Sequence, residues 1–501
     1  MAIQTKSSVL AVVVESAEGT PVAPSGTGQF IPLQDDFTME PAFEQLENAE
    51  MKASIGMSKT IVGAENPTSS FSAYLKHSGT EGAASQLDEV LTAAFGAEVI
   101  AATEYDTVAS STTTLIKVDT GEGVNFQRGQ ILLVKDATNG YSIRPVHSVS
   151  GDDITLGFPL QSAPGTGVNL GKCVLYKPAN SGHQSLTLWH YAGNGGATQM
   201  MTGSRVTELG MTFTAGQLIN MSMSFEGLEY FYNPIEITSS TRYLDFTDDD
   251  GTHAAVVATG FYKDPHKLAE AIQTAMSGLT TETITVTYSD TLGKFVIASS
   301  TSAVLSLLWN TGTNAANTIG TKIGFLVAAN DTGATSYTSD NAITLSAPYS
   351  PAYDSADPLV AKSNLLLIGS GTETTCFSAN NVTVTLGTPR KVIESICSDS
   401  ARSGSLIQQR EVSVTIDAIL NQFDADKFKR MRTNAETRML YAFGEKTGGN
   451  WTAGKCGAVY LPTCVVSSMT LNDNDGIYDI SIELKGYVDA NANGEIYLGF
   501  V

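Results

Sequence analysis

Over much of the chain, apolar residues alternate with serine and threonine. The runs SLTLW (185–189), ITVTY (284–288) and VTVTL (382–386) are of this kind. A period of two puts alternate side chains on opposite faces of an extended strand, so these runs predict strands with one buried and one polar face. Helical periodicity appears in three places. Ala84 to Phe95 sets Leu87, Val90, Leu91, Ala94 and Phe95 on one stripe. Asp264 as N-cap, Pro265 in the first turn and Gly278 as stop bound a second helix, with Leu268, Ala271, Ile272, Ala275 and Met276 inward. Asp424 as N-cap opens a third, ending near Thr433. The expected class is mainly β with few helices.

The strands repeat. DDFTMEP (35–41) matches NNVTVTL (380–386), and SSFSAYL (69–75) resembles EVSVTIDAIL (411–420). A helix follows each. AAFGAE (93–98) then matches YAFGEK (441–446), and MTFTAGQLINMSMSFEG (211–227) matches MTLNDNDGIYDISIELKG (469–486). Four matches in one order predict two tandem copies of a β-sandwich or half-barrel domain, each with a packing helix. The separation of the copies shortens sharply after Glu98, so the first copy is interrupted. Residues 1–99 and 182–235 form copy one, and residues 347–501 form copy two. Residues 100–181 carry short strands between Gly and Asn/Asp turns, which predicts an inserted small β-barrel-like domain. Residues 236–346 hold the Asp264 helix, two strands around a Ser289-Asp290 turn, and the run VLSLLW (304–309). They predict an inserted α+β domain. Both inserts join the frame at loop-like sequence, where insertion is tolerated.

Each copy has a dry and a wet face. In the first, Phe71, Ala73, Leu75, Met211, Phe213, Met221, Met223 and Phe225 oppose Ser70, Ser72, Tyr74, Thr212, Thr214, Asn220, Ser222, Ser224 and Glu226. In the second, Val412, Val414, Ile416, Ile480, Ile482 and Leu484 oppose Ser413, Thr415, Asp417, Ser481, Glu483 and Lys485. The helix can cover the dry face. The wet face is small hydroxyls with sparse, mainly acidic charge. It has no aromatic row and no basic stripe, so it does not resemble a groove for single-stranded nucleic acid. Sheet edges are association sites unless covered. Two similar domains per chain suit a ring closed edge to edge, in which three chains supply six domains.

Composition sharpens this reading. Asp and Glu number 51 against 29 Lys and Arg, a net charge of −22, which argues against affinity for phosphates. No apolar run reaches the ~18 residues of a membrane span, and the first residues show no clear cleavage site. Five cysteines, Cys173, Cys376, Cys397, Cys456 and Cys464, make an odd count without a CxxC pair and read as reduced thiols of a protein made in a cytoplasm. The sequons at Asn220, Asn330, Asn381 and Asn450 are then chance matches. The six histidines fall into no metal spacing. TDDDGTH (247–253) and NDNDG (472–476) fail the EF-hand pattern at the first and last positions. GTGVNLGKC (165–173) departs from a phosphate loop in spacing and in Cys173. No catalytic residue, metal or cofactor is expected, and the chain is not expected to be an enzyme.

The opening AEGTPVAPSGTGQFIPLQDDFTMEPAFEQLENAEMKASIGMSKTIVGAENPTSSFSAYLKH is similar to the start of major tail tube proteins of long-tailed siphophages, especially flagellotropic ones. The succession of an N-terminal strand, a long loop over 42–66, a strand, a helix and a closing hairpin resembles their fold. The resemblance covers about 1–99, 182–235 and 347–501. FYKDPHKLAEAIQTAM, ITVTYSDTLGKFVIAS and IGF, within 262–325, look like a module recurring in phage virion proteins, which implies an outer decoration role. The family implies rings stacked into a hollow virion tail that conducts double-stranded DNA without binding it. Its partners are further copies of itself, the tape measure, the tail terminator and the tail tip. The lumen-lining candidates are Ser70, Ser72, Thr212, Thr214, Ser222, Ser224, Glu226, Ser413, Thr415, Asp417, Ser481, Glu483 and Lys485. The 42–66 loop resembles the family's inter-ring loop, and 387–410 is its counterpart in copy two. Glu40, Glu44, Glu47 and Glu50 mark the first loop, and Arg390, Lys391 and Arg402 mark the second, a complementarity that would fix register between rings or subunits. The doubled frame departs from a single-domain homohexamer and points to a homotrimer. The competing reading is a decoration or baseplate protein whose inserts face the host.

Overall fold

The computed structural model describes residues 3–50, 56–398, 400–419, 425–489 and 494–501. The protein is mainly β, with 47% of residues in strands and 8% helical, and its principal sheet is a half-barrel. The chain divides into two compact units. One holds the residues up to Ala11, Thr187–Thr202 and Glu229–Pro351; the other holds Val12–Leu186, Gly203–Leu228 and Ala352–Val501.

The frame lies in the second unit. Its strands in chain order are β1 (Thr38–Glu40), β2 (Thr68–Tyr74), β3 (Gly96–Ala101), β4 (Cys173–Pro178), β5 (Ala197–Thr214, which enters this unit at Gly203) and β6 (Asn220–Glu226). They continue with β7 (Leu365–Gly369), β8 (Asn381–Gly387), β9 (Glu411–Ile419), β10 (Thr437–Thr447), β11 (Asn450–Asn474), β12 (Ile477–Gly486) and β13 (Tyr497–Phe500). The inner layer runs β1-β2-β6-β5-β8-β9-β12-β11, every pair antiparallel. The first four strands and the last four have the same order and the same pairings. The groups meet where β5 pairs β8, with Thr212 opposite Thr383 and Gly210 opposite Thr385.

The period-two pattern explains the layer. Every apolar residue assigned to the dry face is buried, from Phe71 and Phe225, whose rings stack at 5.3 Å, to Ile482 and Leu484. That face was expected to lie under helices. A second antiparallel layer, β3-β4-β13-β11-β10-β7, shares the task. Phe213 of the inner layer meets Tyr441 and Phe443 of the outer one at ring separations of 4.4 and 5.4 Å respectively. The 25-residue β11 pairs β10 with its first half and β12 with its second, so it turns the corner between layers.

The registers follow the sequence alignment of the repeat: Thr38 pairs Ser70 and Ser70 pairs Ser224, as Thr383 pairs Thr415 and Thr415 pairs Glu483. Both closing hairpins carry a bulge at the same place, where Thr207 donates to the Ser224 carbonyl and Ser467 to the Glu483 carbonyl. One detail differs. Ala93 to Phe95 end a helix, whereas Tyr441 to Phe443 lie inside β10. Gly96 stops the first helix at once in the left-handed region, at φ +103°.

The helices are α1 (Asp88–Phe95), α2 (Pro265–Ser277) and α3 (Ala425–Thr433). α1 starts four residues later than its stripe predicts. A turn from Ser85 to Asp88 occupies the expected first turn. α2 follows its signals: Asp264 Oδ1 accepts from the Lys267 N–H at 2.8 Å, and Leu268, Ile272 and Met276 are buried. The expected cap Asp424 of α3 lies outside the described residues. In the first unit α2 packs on a core with Phe246, Phe295 and Trp309. The strands Ile284–Ser289 and Lys294–Ser299 pair there about the predicted turn. Gln273 Oε1 accepts from the Val286 N–H at 2.9 Å, which blocks one edge group of the first of them. Residues 105–170 hold a six-stranded sheet with its own core of Ile116, Leu132, Val134, Val146, Ile154 and Leu156.

Around α1 the structure gathers acid without cations. Tyr176 donates its hydroxyl to Asp88 Oδ1 at 2.7 Å, and Glu98 lies close to Asp88. Burial, with Asp88 close by, pushes the Glu89 and Glu98 carboxyls up to about 7. The folded chain therefore holds protons that the unfolded chain releases near 4.5. This contribution to stability is complete below that lower value and is lost as pH rises through about 7. Thermal melts should show a lower Tm at pH 8 than at pH 5.5. Glu98→Gln should raise the pH 8 value and flatten the slope; an unchanged slope would refute the assignment.

Candidate functional site: the hydroxyl-rich sheet face

The pairing registers turn the alternation of single strands into rows across one continuous face. One row reads Thr38–Ser70–Ser224–Glu208–Gly387–Glu411. The next reads Ser72–Ser222–Gly210–Thr385–Ser413–Lys485–Val465. The third is Tyr74–Asn220–Thr212–Thr383–Thr415–Glu483–Ser468. The fourth is Thr214–Asn381–Asp417–Ser481–Thr470. Twelve of the thirteen candidate residues of this face fall in these rows, and Glu226, opposite Thr68, continues the face beyond the first row. Within the rows, the carboxylates Glu208, Glu411, Asp417 and Glu483 stand against one cation, Lys485.

The hydroxyl groups turn to each other and to carboxylates. Thr38 Oγ1 and Ser70 Oγ lie 2.8 Å apart, and Ser72 Oγ donates to Asp36. Thr214 Oγ1 donates to Asn381 Oδ1 at 2.9 Å, Asn381 Nδ2 to Asp417 Oδ2 at 3.3 Å, and Ser481 Oγ to Asp417 Oδ1 at 2.7 Å. Ser468 Oγ donates to Glu483 Oε2 at 3.1 Å. Cross-strand bonds of this kind fix the side chains against the sheet. They direct donor hydrogens sideways and leave acceptor oxygens outermost. Such a face repels phosphate weakly and offers it no bidentate partner.

Sequence reasoning missed the residues at the junction of the two groups. Asn381, Thr383, Thr385 and Glu208 sit at the centre of the face. The signal was present in the alternation of VTVTL, but which strand joins the halves is a tertiary fact.

The two expected loops are two-stranded ribbons in their described parts. Phe43–Leu46 pairs Ile61–Glu65, and Arg390–Glu394 pairs Arg402–Ile407; residues 51–55 lie outside the description. They occupy equivalent places, between β1 and β2 and between β8 and β9. Both expose apolar side chains: Phe43, Leu46, Ile61 and Val62 on the first, Ile393, Ile396 and Leu406 on the second. They touch each other, with Arg402 Nη1 donating to Asn66 Oδ1 at 2.8 Å. Glu40, Glu44, Glu47, Glu50 and Lys391 are exposed. Arg390 is not. Its side chain is 0% exposed and its Nε lies 2.9 Å from Glu226 Oε2, so two candidates from separate groups neutralise each other inside one chain. Burial pulls the Arg390 guanidinium below its ordinary range, and Glu226 opposes that shift.

Reactive chemistry is sparse. Among the described residues no group of three or more His, Cys, Asp or Glu could hold a metal ion. Cys173, Cys456 and Cys464 are buried thiols pushed up to about 12 by burial, whereas Cys376 and Cys397 are exposed. No protein-family model matches this sequence, and no curated protein matches it.

Proposed function

We propose that the chain is the structural subunit of a phage tail tube, three copies closing into a ring and rings stacking into a passage for double-stranded DNA. The observation that carries this reading is the junction of β5 with β8. It joins the last strand of the first four-strand group to the first strand of the second. The corresponding strands at the two ends, β11 and β1, have no partner on their outer sides among the described residues. The contact made once inside the chain can therefore recur between chains: β11 of one copy takes β1 of the next. Head-to-tail pairing of this kind closes into a ring when the rotation fits.

The register supports closure. Equivalent residues such as Ser70 and Thr415, or Glu208 and Ser468, lie two rows apart, a constant stagger of the sort a closed barrel needs. Three chains supply three times eight strands, which at ~4.8 Å spacing give a barrel on the order of 40 Å across. Its dry face packs on the outer layer, and its hydroxyl-rich face encloses the passage. Screening confines repulsion by the sparse carboxylates to about 10 Å at ~0.1 M salt, so it acts only in such a narrow bore. The ribbons, with exposed apolar residues and no core of their own, are suited to contacts with the neighbouring ring.

Two measurements test the reading. Negative-stain images of purified chain should show uniform hollow tubes, with native mass giving three chains per ring. Discrete particles would favour a decoration or baseplate role. In a Cys376→Ser, Cys397→Ser background, Thr38→Cys with Asn472→Cys should crosslink between chains, because the pair Thr383–Thr212 of the junction inside the chain maps onto it. Directly opposed strand residues are within disulfide reach. A closed three-chain species on a non-reducing gel is expected, and absence of any inter-chain crosslink in assembled tubes would sink the proposed seam.

A further inference from the structure

Resting on the tube reading above, we infer that the bare apolar end of the second closing hairpin, Leu471 with Tyr478, docks against the next chain of the same ring. The repeat shows that this end lacks a cover. Both closing hairpins carry their bulge at the same place, so Glu208 corresponds to Ser468 and Ser224 to Glu483. Stepping along each strand, Met211 then corresponds to Leu471 and Ile219 to Tyr478. Met211 and Ile219 are both 0% exposed, whereas Leu471 is 56% and Tyr478 62% exposed. A strand's period of two places Leu471 on the dry face, opposite the buried Ile480. The same position is sealed in the first group and open in the second.

The first hairpin shows what the cover is made of. Segment 359–361 lies along its end. Leu218 bridges Val360, the Ile219 N–H donates to the Leu359 carbonyl at 2.8 Å, and the Ala361 N–H donates to the Gln217 carbonyl at 2.9 Å. Phe213, two residues beyond Met211, packs on Tyr441 and Phe443 of β10. Segment 359–361 leads into β7, and β7 pairs β10, so the whole cover belongs to the second half of the repeat. Each group is thus closed by the group that follows it along the sheet. The second group has no successor in its own chain. Among the described residues Ile477 and Tyr478 pair β11 alone, because β9 ends opposite Asp479. Head-to-tail order makes the successor the first group of another chain. Asp473, in the place of Phe213, turns back to accept from the Gly476 N–H at 2.9 Å and leaves the patch apolar. The patch flanks the open edge of β11. Covering it adds non-directional apolar contact to the backbone pairing of the seam.

Hydroxyl-radical footprinting of the full chain reads this contact directly. Oxidation of Leu471 and Tyr478 is expected to fall severalfold from the unassembled chain to single rings, and no further when rings stack. Protection that arises only in stacked tubes would assign the patch to the neighbouring ring and overturn the inference, as would no protection at all. Leu471→Asp and Tyr478→Asp should each raise the concentration needed for ring formation about tenfold or more, the loss of one buried apolar side chain at the interface. Melting of the unassembled chain should stay unchanged, because both side chains are already exposed there. Variants that assemble like the parent would also overturn the inference. The Thr38–Asn472 crosslink separates the two failures: crosslinked rings with an unprotected Tyr478 refute the docking alone, whereas a parent chain that forms no rings refutes the tube reading.

Discussion

Arg390→Ala should destabilise the protein by about 3–5 kcal/mol, the cost of breaking a buried ion pair from one side. The guanidinium is held at three points. Nε contacts Glu226 Oε2 at 2.9 Å, Nη1 donates to the Gly203 carbonyl at 3.2 Å, and Nη2 donates to the Gly227 carbonyl at 2.7 Å. Truncation leaves a half-buried carboxylate without its cation and two carbonyls without a donor. Arg390→Lys should recover only part of the loss, because a single ammonium cannot span the fork. Glu226→Gln in the Arg390→Ala background should return some stability by removing the stranded charge. Urea unfolding reads these effects as midpoint shifts at constant slope. A loss below about 1 kcal/mol for Arg390→Ala would mean the pair contributes little. Arg390 also roots the second ribbon on the frame, so the alanine variant should be cut faster by protease within 390–407.

Ser224→Lys with Ser481→Lys should leave assembly intact and slow genome ejection about tenfold or more at low salt, on the tube reading. Both side chains lie on the hydroxyl-rich face, Ser224 between Ser70 and Glu208 and Ser481 between Asp417 and Thr470. Each lysine would offer the passing duplex a phosphate partner where now there is none. Attraction of this kind falls steeply with salt through counterion release. The defect should therefore fade as salt is raised, which a simple packing fault would not do. Ser224→Asn with Ser481→Asn is the neutral control. Ejection at the parent rate at low salt, from particles shown to contain the variant, would count against this face as the lining.

The sequence by itself determined which residues are dry and which are wet. From Phe71 to Leu484 the assigned apolar residues are buried, because a strand's period of two permits only two faces. It also determined α2, whose cap, first-turn proline and stop are all local signals. The late start of α1 was decided by the Ser85 turn, a competition that stripe periodicity does not register. Only the tertiary structure decided that β5 pairs β8 and joins the two groups, because strand order is chosen by contacts between residues far apart in the chain. The same holds for Arg390. Its charge reads as a surface feature in the sequence, and only the packed fold shows it buried against Glu226. Side-chain period is a property of each strand alone, whereas neighbours, edges and buried charges exist only once the strands have met.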